Sequence, residues 1–192
     1  MLHPAEHRAL RELHATARQL ESHWSKLARR LDDDLLAEGA EAAHELLAEL
    51  RSRVGEEHDL HGQPAAQAVG ARLAGARGVS DLLLERNQAF RTALLDLQHV
   101  TTLLGYVAAL ARTRGDEVLA TWEAAWETRL RGLEERGRAA VVALGADPDA
   151  AIAPADESRF GRAGARLGVA FGTVGEAIDH SPIGRMARRR TT

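Results

Sequence analysis

Two segments of the chain set an acid three residues ahead of a histidine: Glu41-Ala-Ala-His44 and Asp96-Leu-Gln-His99. On a helix that spacing puts both side chains on one face, and facing carboxylate-x-x-His pairs are how helical bundles hold two metal ions in their interior. The chemistry is coherent, because a carboxylate bridges two iron or manganese ions while each histidine gives a nitrogen to one. Against it, nine histidines and 28 acids in a helical chain produce such spacings by chance. Glu41 and His44 also flank the apolar seam of their segment instead of lying on it.

Other chemistry-bearing residues have plainer readings. Glu57, His58 and His61 fall at an expected helix end, where a solvated histidine is the ordinary finding, and His3 and His7 read the same way. Trp122 and Trp126, one turn apart, could wall a ligand or partner site, although at helical spacing the ordinary role is core. Cysteine is absent, which excludes disulfides, thiolate metal sites and cysteine nucleophiles. No Gly-rich phosphate loop, nucleophile elbow or zinc-protease signature occurs.

The elements that must position these residues are helices. Residues 69–144 contain no proline, and apolar residues recur there at steps of three and four. A hydrophobic content of 45% with only 4% aromatic leaves packing to Ala, Leu and Val, which suits closely packed helices, so the expected class is all-α. A first helix starts at Pro4 and carries Leu10, Leu13, Ala17, Leu20, Trp24, Leu27 and Leu31. Asp32, Asp33 and Asp34 offer N-caps for a second, with Leu36, Ala40, Ala43, Leu47, Leu50 and Val54 as its seam, ending around residues 58–62.

A Gly-interrupted stretch follows, broken near Gly78. The next helix, from Leu83 to Ala111, has two apolar stripes, one through Phe90, Leu94, Leu97, Thr101 and Leu104 and one through Ala89, Ala93, Val100, Leu103 and Val107. Two stripes imply burial on two sides, either as a central helix or against a partner chain. Gly115 and Asp116 make a short turn into a last bundle helix along Leu119, Trp122, Trp126, Leu130, Leu133 and Leu144, packed antiparallel to its predecessor. Residues 1–145 are therefore expected as a helical bundle, 146–156 as a linker, and 157–192 as a Gly-striped amphipathic helix with a basic tail.

The net charge of −3 gives no general case for nucleic-acid binding, but it divides into +4 from residue 157 onward and −7 before it. Residues 1–20 are charged throughout and lack the apolar core of a secretory signal, so the chain reads as soluble and cytoplasmic.

Residues 13–20, Leu-His-Ala-Thr-Ala-Arg-Gln-Leu, and 98–116, with His99, Tyr106, an Ala-Ala-Leu-Ala run and the Gly115-Asp116 turn, resemble the ferritin-like family of bacterial stress-associated, YciF-type proteins. The resemblance covers residues 10–144 and implies an antiparallel four-helix bundle, a di-iron-type core and a tendency to dimerise. His99 and Tyr106 match the family's pattern, but Gln98 stands where it has glutamate and Ala17 where its first helix has glutamate.

Alanine in place of a carboxylate removes a ligand and the charge that neutralises Fe²⁺, so the implied site needs Glu21, Asp96, Glu123 or Glu127 to substitute. The metal set on this reading is Glu41, His44, Asp96, His99 and Glu127, with the register leaving Glu123 and Glu127 open. At the C-terminus, Ile183-Gly184-Arg185-Met186-Ala187-Arg188 resembles the peptides that load ferritin-like cargo into encapsulin shells, with an alanine inserted before the arginine.

The leading expectation is a ferritin-like bundle that has lost part of its metal site and acts without catalysis, by self-association or by binding a protein partner. A working di-iron or di-manganese oxidase or iron-handling protein is the alternative. A protein held at a membrane surface by residues 158–190 is the third.

Overall fold

The structure is a computed structural model that describes residues 2–55 and 84–155. Its regular elements are all helical, with no strand among the described residues. The Gly-interrupted stretch, the Glu57/His58/His61 group, the Gly-striped helix, the basic tail and the residues 183–188 peptide lie outside the described residues.

Helix α1 (Pro4–Leu31) begins as its sequence dictates, with Pro4 in the first turn and the His3 ring accepting the Ala5 N–H at 3.2 Å. Its seam residues Leu10, Leu13, Ala17, Leu20, Trp24 and Leu27 are fully buried. The helix stops where Asp32 turns left-handed (φ 52°), returning its N–H to the Ala28 carbonyl. Asp33 then caps α2 (Asp34–Leu50), its Oδ1 accepting the Leu36 N–H at 3.0 Å. Expected to run on to residues 58–62 in one form, the second helix instead changes at Arg51 into a π-helical turn, Arg51–Gly55.

Helix α3 (Arg86–Arg114) starts three residues later than expected, at a reciprocal cap between Glu85 and Gln88. Gly115 (φ 82°) closes it in the left-handed region, and Asp116 caps α4 (Glu117–Leu144) through the Leu119 N–H at 3.0 Å. A short α5 (Pro148–Ala151) follows. The segment expected as a linker is tied back as far as Ala155: Arg86 N–H donates to the Ala153 carbonyl at 2.7 Å, Ala155 N–H to Leu84 at 3.2 Å, and Asn87 Nδ2 to Ala151 at 2.7 Å.

Helix α1 packs against both α2 and α3, α3 packs against α4, and α2 touches α4. Both apolar stripes of α3 are therefore covered within one chain, and the two-sided burial needs no partner there. By length and composition α3 could also cross a membrane, a test that the core helix of a soluble protein passes as well. Paired positions between helices are Trp24 with Gly39, Glu21 with His44, His23 with Asp96, Glu6 with Arg114, Leu94 with Gly137, Glu49 with Trp122 and Glu38 with Arg136.

Candidate functional site

Asp96 occupies the gap in the second stripe of α3, between Ala93 and Val100, and the helix turns it inward. There His23 of α1 meets it, Nδ1 to Oδ2 at 2.8 Å, with both side chains buried. Gln19 Nε2 donates to the other carboxylate oxygen at 3.4 Å. One turn earlier on α3, the Ala93 carbonyl accepts the Trp24 indole N–H at 3.1 Å. Three consecutive polar contacts thus lock α1 to α3, in a place where an apolar stripe alone would leave the helices free to slide.

The other residues expected as metal ligands go elsewhere. His99, three residues after Asp96, is half exposed and meets Glu12 of α1 at 3.2 Å. His44 is 64% exposed and its Nδ1 lies 2.8 Å from Glu21, whose carboxylate raises the imidazole pKa. Glu41 is exposed and lines, with His44, Glu21 and Arg29, an open groove between α1 and α2 of about 350 Å³. Glu127 is half-buried, paired with Arg131 at 2.6 Å on its own helix.

No three His, Asp or Glu side chains among the described residues gather as a metal ion requires. Glu41, His44, Asp96, His99 and Glu127 therefore do not fit a di-iron or di-manganese centre. The physical reason is that neither i,i+3 motif turns both of its side chains into the core. Asp96 falls inside and His99 outside, while Glu41 and His44 both fall outside. Tyr106, which with His99 carries the family resemblance, is also half exposed, and Ala17 is fully buried among apolar residues.

A second polar cluster lies where α1 begins and α3 turns into α4. Glu6 is buried and held by both ends of the Arg114 fork, at 3.2 Å from Nε and 3.1 Å from Nη2. Arg114 also donates to Asp116 at 3.0 Å. Glu123, 1% exposed, has neither carboxylate oxygen hydrogen-bonded. Burial, reinforced by the charges of Glu6 and Asp116, pushes its carboxyl up to about 8, so it holds a proton at neutral pH.

A third group joins α2 to α4. Both the Trp122 and Trp126 indoles donate to Glu49 Oε2, at 2.5 and 3.2 Å, and hold that carboxyl below its usual range, the Trp122 bond most of all. Arg53 lies over the Trp122 ring at 5.5 Å and Arg129 over Trp126 at 4.7 Å. Arg129 also pairs with Glu45, and Arg136 grips Glu38 with two nitrogens at 2.9 and 2.6 Å. The tryptophans are buried, as core residues should be, and their polar edges fix α4 to α2.

Sequence reasoning passed over His23, Glu6 and Glu49. Glu6 had a signal, lying one turn ahead of Leu10 on the same seam. Compared with protein-family models, curated proteins and solved structures, the chain matches none.

Proposed function

We propose that the chain is an antiparallel four-helix bundle of ferritin-like kind, without a working metal site, that acts in the cytoplasm by binding: to a second copy of itself, or else to a protein partner. The order of the interhelical pairs supports the antiparallel arrangement. Glu6, near the start of α1, meets Arg114 at the end of α3, whereas His23, further along α1, meets Asp96. Along α2, Glu38 meets Arg136 and Glu49 meets Trp122.

The observation that carries the non-catalytic reading is the separation of Asp96 from His99. The motif best suited to a metal has its acid spent on a buried histidine and its histidine spent on a surface acid. Binding surfaces remain. Leu95 and Tyr106 stand exposed on the same outward side of α3 as His99 and Thr102. Val142 and Ile152, also exposed, border an open groove of about 400 Å³ beside Pro148.

Light scattering after size-exclusion chromatography of the full chain tests the reading. A mass of at least two chains is expected, falling toward one in a Leu95→Glu, Tyr106→Glu variant or in a Val142→Glu, Ile152→Glu variant. A full chain that stays monomeric at its highest soluble concentration and recovers no partner in a pull-down defeats it. So does stoichiometric iron or manganese that is lost on changing His44 and His99 to alanine.

A further inference from the structure

Glu123 follows Ala120 and precedes Trp126 at steps of three on the inward side of α4, and both of those neighbours are buried and apolar. A charge there is cut off from water, and both oxygens lack a hydrogen bond to offset the dehydration. The charged groups that bear on it are Glu6 from α1, Arg112 and Arg114 from the end of α3, and Asp116 from the cap of α4. Arg114, the cation best placed to help, is already turned to Glu6 and Asp116. From α2, Glu49 reaches the same turns of α4, but its carboxylate is taken by the Trp122 and Trp126 indoles.

We propose that Glu123 is a proton-linked latch. Neutral, it closes the end of the molecule where α1 begins and α3 turns into α4. Ionised, it drives that end to open until water reaches the carboxylate. Closure holds one proton and opening releases it.

In the closed form the carboxyl titrates at about 8, against 4.5 in water. Between those values each opening event therefore gives up one proton. The open population rises about tenfold per pH unit across that interval and levels off above it. Opening also uncovers the apolar sides of Leu10, Leu119 and Trp122, so the latch would tie exposure of apolar surface to pH.

Hydrogen exchange on the full chain, read from about pH 5.5 to 9.5 with each rate divided by the intrinsic chemical rate, tests this. Amides at positions 8–13 and 121–126 should lose protection about tenfold per pH unit up to about pH 8 and then stay level. Glu123→Gln should lose the slope while keeping every histidine that titrates in the same range. Glu123→Met, apolar and of similar volume, gives the same comparison if the amide variant folds poorly. A wild-type profile that is flat below about pH 8 overturns the latch. So does an equal slope in wild type and variant, or protection at positions 38–47 no higher than at 8–13 and 121–126 throughout the series, which would mean that all of them exchange by unfolding of the whole molecule.

Discussion

A Cβ placed on Gly39 would lie 2.2 Å from two ring carbons of Trp24, so the absence of a side chain at 39 is what lets α2 close on α1. Trp24 cannot retreat, because it is fully buried and its indole N–H is bonded to the Ala93 carbonyl of α3 behind it. Gly39→Ala gains about 1 kcal/mol of helix propensity. The overpacking it forces costs about 1–3 kcal/mol or more, and at 2.2 Å the upper part of that range applies. The expected net effect is a loss of about 1–2 kcal/mol, read as a lower urea midpoint at unchanged slope. A higher midpoint would mean that the two helices do not approach so closely.

Helix positions were readable because they depend on local rules: a proline at 4, an αL glycine at 115 followed by an aspartate cap, and apolar steps of three and four between. The polar interior was not, because periodicity counts apolar residues and passes over the positions between them. Asp96 fills the missing step between Ala93 and Val100, Glu123 the step between Ala120 and Trp126, and Glu6 extends the Leu10 seam backward. A polar residue standing in such a gap is buried by its neighbours' pattern, and that signal would have found all three. Motif spacing misled for a related reason. Three residues span about 300° on a helix, so an acid and a histidine at that spacing can share a face and still fall on opposite sides of the core boundary, as Asp96 and His99 do.

Asp96 and His23 are both buried, so removing the Asp96 carboxylate takes away a short contact that water cannot replace. Asp96→Ala should destabilise the fold by about 1–3 kcal/mol, and Asp96→Asn by less, since an amide oxygen still accepts. Glu12→Ala, which breaks the exposed contact with His99, should cost well under about 1 kcal/mol. Denaturant midpoints of the three variants check the order. Equal losses at positions 12 and 96 would mean that Asp96 does not sit inside.

Arg114→Ala leaves Glu6 buried without its fork, and a loss of about 3 kcal/mol is expected. Arg114→Lys keeps the charge but cannot repeat the two parallel bonds, so it should recover only part of that loss. If lysine restores stability fully, charge alone holds α1 to the end of α3, and the bidentate geometry is immaterial.

Glu123 acts on stability in a direction set by its raised pKa. The folded chain keeps the proton up to about 8 while the unfolded chain gives it up near 4.5, so its contribution is whole below 4.5 and is lost as pH rises through 8. Glu123→Met removes a buried group that costs more the higher the pH. It should therefore raise the melting temperature at about pH 8 by more than at about pH 5, with a gain of about 1–3 kcal/mol at the higher pH. A variant less stable than wild type at about pH 8 would show that the carboxylate has found a partner.

Glu49 has the opposite sign. Its pKa lies below the ordinary 4.5, held there by the Trp122 N–H first and with help from the Trp126 N–H, Arg53 and Arg129. The stability it contributes is therefore present above 4.5 and is lost as pH falls through the lower folded value. The carboxylate is about half exposed, so solvent screens the effect to less than about 1 kcal/mol, too small to follow reliably by melting. Tryptophan emission is the sharper probe, since protonating the shared acceptor alters two of the three indoles and leaves Trp24, bonded to a backbone carbonyl, as it was. Emission of the folded chain should shift on acidification below 4.5 in wild type but not in Glu49→Gln, whose amide oxygen accepts without titrating. Identical acid profiles in the two proteins would mean that Trp122 and Trp126 do not share this carboxylate.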